Sequence, residues 1–513
     1  MAKSVSLGLN LRALVARLSL ARGGCPRQAG FVPKSKRMGF VVSVGMEVHA
    51  ELLTKTKMFC GCPNAFGGEV NTRVCPVCLG LPGSLPVINR AAVRHVLATA
   101  LALNCSIARR SLFHRKNYFY PDLPKGYQIS QYEETNPIGY HGHLELPTGK
   151  RIGIKRVHLE EDTGKLLHLP DGRSGIDYNR AGVPLMEIVT DFPPDIHSSE
   201  EAKQYLQYLR LTLIYLGVCD GKMEQGSLRC EPNISIAEEG SKSLGVKTEL
   251  KNLGSFKAVA LGIQHEAERM EAAVAKGETL RQETRGWDEK AERSYPMRVK
   301  EFESDYRYFP DPDLPPMKFE DAFIEEVRNS LPELPTARHR RYTSSFGLSD
   351  YDAELLIAEP AWAEFFDACV NKGGEPKAVC NWMNGDFAKM LNESGTVVSE
   401  SRITPDHLAD LVALVSSGQI SGKMAKEVFE TSFATGQMPR DIAQKQGLSQ
   451  LSDKEAIRKI VIAVLNENAD SAQKYRSGKT GVLGFLVGKV IQQSSGRANP
   501  QLVNELLIEE LKR

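Results

Sequence analysis

Polar and apolar residues alternate strictly through Val44-Gly45-Met46-Glu47-Val48-His49-Ala50-Glu51. A period of two predicts a β-strand, with Met46, Val48 and Ala50 on one face and Glu47, His49 and Glu51 on the other. From Gly39 to about Pro316, further strand patterns mix with short helices and frequent Gly and Pro, which predicts an α+β domain. Within it, Val157-His158-Leu159-Glu160-Glu161 reads as a strand ending near Gly164, and Glu161 continues the apolar face of Val157 and Leu159. Pro184-Leu185-Met186-Glu187-Ile188-Val189-Thr190 reads as a short central strand that holds Glu187 between apolar neighbours. The run Asp305 to Pro316 is too proline-rich for a helix interior and forms an ordered boundary.

Beyond that boundary the period becomes helical. Ser349 and Asp352 form a capping box ahead of Leu355, Leu356 and Ile357. Thr404-Pro405 starts a helix whose apolar face is Leu408, Leu411, Val412 and Val415, and Gly418 ends it. Asn499-Pro500 opens a last helix with Leu502, Val503, Leu506 and Leu507 inward. Lys423, Lys426, Arg440, Lys445, Lys454, Arg458, Lys459, Lys474, Arg476, Lys479, Lys489 and Arg497 accumulate in this region. They form either a face that tracks an RNA backbone or an ordinary solvated surface.

Length and charge narrow this picture only a little. A chain of 513 residues suggests about three domains. The formal net charge of +2 means that any nucleic-acid surface must be local. No apolar run approaches the roughly 20 residues of a membrane span. The N-terminus is more telling, because Met1 to Met46 contains no Asp or Glu while Lys3, Arg12, Arg17, Arg22, Arg27, Lys34, Lys36 and Arg37 are basic. Leu11, Leu14, Val15 and Leu18 share a helical face, the composition of a mitochondrial transit peptide; a basic arm that contacts RNA is the other reading. In a matrix compartment, thiols serve as metal ligands more often than as disulfides.

Four clusters carry candidate chemistry. Glu47 and His49, roughly 7 Å apart along a strand, form either a solvated edge or part of a cation site. Cys60-Gly61-Cys62 and Cys75-Pro76-Val77-Cys78 flank a loop with Gly67, Gly68 and Asn71. Two close thiolate pairs can close a tetrahedral zinc site, with plain reduced thiols as the alternative. Cys105, Cys219, Cys230, Cys369 and Cys380 are read as ordinary buried residues. Arg115 to Gln128 interleaves basic and aromatic groups around Pro121, Pro124 and Gly126, suiting either phosphate and base contacts or a small loop core. A buried Glu187 needs an ion-pair partner, with Arg180 as candidate, or a metal. Gly478-Lys479-Thr480 is no phosphate loop, because Gln473 stands where that motif needs glycine.

Together these runs resemble the GatB family, the B subunit of glutamyl-tRNA(Gln) amidotransferase. The likeness is carried by Gly45 to His49, Cys60 to Gly83, Arg115 to Gln131, His158 to Lys165, Asn179 to Val189, Met223 to Cys230, Glu249 to Phe256, Gln282 to Asp288, Asp305 to Pro316 and Gly484 to Leu511. After the transit peptide that composition gives over 1–38, it implies a cradle-like catalytic domain over 39–318, a helical domain over 319–403 and a small all-α, tRNA-contacting tail over 404–513. It implies an amidase A subunit and a small C subunit as partners, and glutamyl-tRNA(Gln) and ATP as substrates. It places Mg²⁺ on Glu47, His49, Glu161 and Glu187, and a structural Zn²⁺ on Cys60, Cys62, Cys75 and Cys78. An imidazole is atypical for Mg²⁺, so His49 acts through a water or suits Mn²⁺. Glu51 matches no ligand and reads as solvated. The activity implied is phosphorylation of the tRNA-linked glutamate and its amidation; the alternative is a non-catalytic tRNA-binding scaffold. An archaeal-type E subunit would carry a large insertion after the cradle, where Asp305 to Pro316 runs straight into helix.

Overall fold

A computed structural model of the chain describes residues 39–132, 137–241, 243–299, 306–448, 454–494 and 498–512. The expected transit peptide over 1–38, together with Asp305 and Arg497, lies outside them. The chain divides into two compact units, one ending at Arg340 and the other beginning at Arg341.

The first unit is built on a nine-stranded sheet. In chain order its strands are β1 (Phe40–Glu51), β2 (Ser106–Ile107), β3 (Gly139–Glu145), β4 (Arg151–Glu161), β5 (Pro184–Thr190), β6 (Leu228–Glu238), β7 (Thr248–Lys251), β8 (Glu283–Asp288) and β9 (Arg293–Val299). Across the sheet the order is β9-β8-β7-β6-β1-β5-β4-β3-β2, so the first strand made is the central one. All pairings are antiparallel except β7 with β8. A parallel pair needs a crossover, supplied by the helix Phe256–Ala275.

Three helices layer against this sheet: α1 (Arg90–Ala102), α2 (Ser199–Tyr215) and α3 (Phe256–Ala275). Each starts where the sequence offers a cap: Asn89 accepts from the Ala91 and Ala92 amides, Ser198 from Glu201 and Ser255 from Ala258. α1 packs on β3 and β4, α3 packs on β6, β7 and β9, and α2 lies against α1 and α3. The alternation read from sequence holds, since Val44, Met46, Val48 and Ala50 are all buried. The approach of α1 is close: a Cβ at Gly139 would stand 2.5 Å from the Ala100 Cβ. Gly139→Ala should therefore destabilise the first unit by about 1–3 kcal/mol, read as a lower thermal unfolding midpoint; an unchanged midpoint would show that this contact yields freely.

Against β4 packs a hairpin of His114–Asn117 and Tyr127–Ser130, with Phe309–Pro310 as its third strand. The interleaved basic and aromatic run is thus half strand, half loop. Arg115 packs on the Tyr127 ring and pairs with Asp311 (2.8 Å) and Asp313 (3.0 Å), so its role is to hold the hairpin. Phe119 and Tyr120 on the loop are exposed.

The second unit is entirely helical among its described residues. Ser349 caps Asp350–Ile357, and Thr404 forms a capping box with His407 on Pro405–Ser416. In that helix Leu408, Leu411 and Val412 are buried as expected, and Leu414 is buried where Val415 is only half-buried. The last helices share a core of Ile457, Val461, Val464, Leu486, Val490, Val503, Leu506 and Leu507, with Leu502 at its margin. Among the basic residues here, Lys426 pairs with Asp386, Arg440 with Asp410 and Arg458 with Glu509 and Glu510. Lys423, Lys454, Lys459, Lys474, Lys479 and Lys489 are exposed. No helix among the described residues is long and apolar enough to cross a membrane.

Candidate active site and metal centres

Strand register assembles the first site. His49 lies opposite Glu187 on one side and Arg229 on the other, and Glu187 lies opposite His158. Because residues in register share a face, these four form a polar row across the middle of the sheet. Glu160, two residues after His158, joins from the same face of β4. The donor atoms of His49, Glu160 and Glu187 lie within 4.8 Å of one another, close enough for one cation to bridge.

The electrostatics are those of a closed charge network. Glu187 is 3.5 Å from His49, 3.3 Å from His158 and 3.2 Å from Arg156. Burial alone would raise its pKa, but the two imidazoles bring it well below the ordinary carboxylate value. Burial pulls His49 down, yet Glu187, Glu160 and Glu231 outweigh it and leave His49 raised to about 9. His158 is likewise raised, against burial, by Glu187 and Glu160. The trio presents two carboxylates and an imidazole nitrogen within reach of one point, a donor set that fits a divalent cation, which would bind in place of the proton on His49. Its mixed oxygen and nitrogen character suits Mn²⁺ as well as Mg²⁺. Lys116 overhangs this cluster with its ammonium 4.9 Å from the Tyr306 ring; burial disfavours its charge, but Glu160 and Tyr308 outweigh that and raise its pKa.

Two sequence-predicted ligands lie apart from this trio. Glu47 is beside it, accepting from Asn233 (3.1 Å), and burial, then Glu187 and Glu231, raise its pKa. Glu161 is turned elsewhere: Lys125 pairs with its carboxylate, and the Ile129 amide donates to it at 2.9 Å. Arg180 does not serve Glu187; it donates to the Thr163 and Gly164 carbonyls, and Arg156 is the arginine on Glu187. Glu51 is half-buried rather than solvated. Burial and the neighbouring Asp162 raise it to about 8, against Arg229 and Arg180. His158, Glu160 and Arg156 are the residues that sequence reasoning passed over; the parity of β4 was the signal for His158 and Glu160, whereas Arg156 reaches Glu187 only through strand register.

The second site is the cysteine knuckle. The sulfurs of Cys60, Cys62, Cys75 and Cys78 lie within 4.8 Å of one another, although the loop joining the pairs is long. Gly67, Gly68 and Asn71 all take positive φ in that loop, and the Asn71 amide group bonds the Ile176 carbonyl at 3.0 Å. The Cys75 amide donates to the Cys78 sulfur at 3.1 Å. Cys60, against burial, together with the Cys75 amide and Lys57, holds Cys78 down to about 5. Such a thiolate is the form a metal binds. Cys105, Cys219, Cys230, Cys369 and Cys380 are free and buried, as expected.

Comparison with known proteins then places the chain. Residues 42–325 match the family described as the GatB/GatE catalytic domain, and 364–511 match the GatB domain. The chain belongs to the GatB family. Among GatB relatives, the B subunit of the aspartyl/glutamyl-tRNA(Asn/Gln) amidotransferase of Caldanaerobacter subterraneus is 50% identical over 479 residues, 93% of this chain and 100% of the relative. The protein of the same description from Moorella thermoacetica is 50% identical over 481 residues, 92% and 100% of the two chains. That from Geobacter sulfurreducens is 48% identical over 483 residues, 93% and 100%. The polar row falls within the segment that matches the GatB/GatE catalytic domain, as do all four knuckle cysteines.

Proposed function

We propose that this chain is the substrate-activating B subunit of a glutamyl-tRNA(Gln) amidotransferase of the mitochondrial matrix. The convergence of His49, Glu160 and Glu187 on one point of the central sheet carries the reading. A scaffold that only held tRNA would have no use for two carboxylates buried against two imidazoles, since burying such groups is costly.

In this reading the γ-carboxylate of the tRNA-linked glutamate attacks the γ-phosphorus of ATP, and ADP leaves. Ammonia, released from glutamine by a partner amidase A subunit, then attacks the acyl carbon and expels phosphate. A small C subunit completes the complex. Both reactants of the first step are anionic, so the site must offset their repulsion. Mg²⁺ or Mn²⁺ held by His49, Glu160 and Glu187 supplies charge neutralisation and alignment of the phosphoryl group. Lys116 and Arg156 add positive charge beside the same cluster, and the exposed Phe119 and Tyr120 offer stacking surfaces for bases. Cys60, Cys62, Cys75 and Cys78 hold a structural Zn²⁺. The acid-free N-terminal segment supports import, and the exposed lysines of the last helices support tRNA contact.

Affinity purification of the tagged full-length chain from mitochondria tests this. The amidase subunit and tRNA(Gln) should co-purify, and the complex should convert glutamyl-tRNA(Gln) to glutaminyl-tRNA(Gln) only with ATP and glutamine. Amidation without ATP, or recovery of the chain outside mitochondria and free of an amidase, would overturn it.

A further inference from the structure

Lys57 is fully buried, at 0% exposure, and pairs with no carboxylate among the described residues. Its ammonium has two partners: the Cys78 sulfur at 3.8 Å and the Tyr178 carbonyl at 3.2 Å. A buried ammonium with one carbonyl for company costs several kcal/mol, as an order of magnitude, unless an anion faces it. Four cysteine thiolates around a divalent ion carry a net charge of about −2, and that surplus is the counter-charge Lys57 lacks elsewhere. The lysine is also part of the knuckle's own backbone, because its amide donates to the Cys62 carbonyl at 3.0 Å.

The other contacts of this lysine lead toward the polar row. The next amide, Met58, donates to the Gly182 carbonyl at 2.7 Å. Gly182 has φ +82°, and a Cβ there would stand 3.5 Å from the Cys78 Cβ, 3.7 Å from the Lys57 Cδ and 3.9 Å from the Glu161 carboxylate. The Tyr178–Gly182 turn is thus wedged between knuckle and Glu161, and two residues later it enters β5, which carries Glu187.

We propose that Lys57 is a positioning residue: it is the charge partner of the four-cysteine metal centre and the strut that ties that centre to the Tyr178–Gly182 turn. The proposal rests on the zinc reading above and adds to it the group outside the four ligands that sets how tightly the metal is held. A charged group beside a metal ligand typically changes metal affinity by about 10- to 100-fold.

The test uses the full-length chain in its purified complex, with zinc measured by elemental analysis and by transfer to a chromophoric chelator. Wild type should hold one zinc per chain. Lys57→Met should surrender it about 10- to 100-fold more readily, and Lys57→Arg, which keeps the charge, should retain it better than Lys57→Met. With cobalt in place of zinc, the thiolate-to-metal charge-transfer band should move in Lys57→Met. In the zinc-loaded variant the Met58 amide should exchange faster with solvent, which a purely electrostatic role would not cause. Should Lys57→Met fail to accumulate, Lys57→Gln keeps a donor for the Tyr178 carbonyl, removes the charge and should release zinc as readily. Wild-type zinc retention with an unchanged cobalt band overturns the role of Lys57. A wild-type chain without zinc overturns the metal centre itself, and Lys57 with it.

Discussion

Glu187→Gln is expected to abolish ATP-dependent amidation while leaving glutamine hydrolysis by the partner amidase intact. Glu187 touches both imidazoles and Arg156, and the two imidazoles, against burial, hold its pKa well below the usual carboxylate range. The amide has the same shape but no charge to offer a cation. Losing one anionic ligand from a phosphoryl-transfer site should cost about 4 kcal/mol of transition-state stabilisation, roughly a thousandfold in rate. The fold should survive, because His49 and His158 can shed their protons once their carboxylate partner is neutral. Single-turnover ATP cleavage in the presence of glutamyl-tRNA(Gln) measures the effect, and circular dichroism controls for folding. Full activity in a folded Glu187→Gln protein would remove this cluster from the reaction.

The second large effect separates two adjacent residues. Glu160→Gln should weaken binding of Mn²⁺, followed by electron paramagnetic resonance, by at least about 10-fold, whereas Glu161→Gln should leave it unchanged. The magnitude is a lower bound taken from groups that only support a ligand. The two side chains are neighbours in sequence, alike in chemistry and both buried. They differ in what they face: Glu160 is 3.8 Å from His49, while Glu161 is held by Lys125 and the Ile129 amide. The opposite result, with Glu161 governing Mn²⁺ binding, would restore the ligand set of Glu47, His49, Glu161 and Glu187.

That contrast also marks how far the chain could be read without coordinates. The faces of β1 followed from a period of two, and the four cysteines met as their spacing suggested, because both signals are local. Parity in β4 was equally local: with Leu159 inward, His158 and Glu160 share the other side, and Glu161 is set apart from them. The arginine on Glu187 was out of reach, since Arg156 arrives through the register of two strands about thirty residues apart, which nothing near Glu187 encodes. Glu51 read as solvated because its own strand offers no partner; Asp162, Arg229 and Arg180 come from three other segments. Lys57, between Thr56 and Met58, sits in no periodic pattern at all, and its burial follows from a turn more than 120 residues away at Tyr178. The helical unit was the easiest to read, because caps such as Ser349 and Thr404 declare themselves within one turn.

The strand order has a consequence for how the chain comes into being. β1 is synthesised first, yet its hydrogen-bonding edges are closed by β5 and β6, the latter ending at Glu238. A nascent chain that has reached Thr190 already contains His49, His158, Glu160 and Glu187, but one edge of the strand bearing His49 is still open. Open edges invite pairing with other chains, and contacts this distant in sequence form slowly. The first strand of the sheet to leave the ribosome thus waits for β6 before both its edges are covered, and must be kept from other chains for about two hundred residues of elongation.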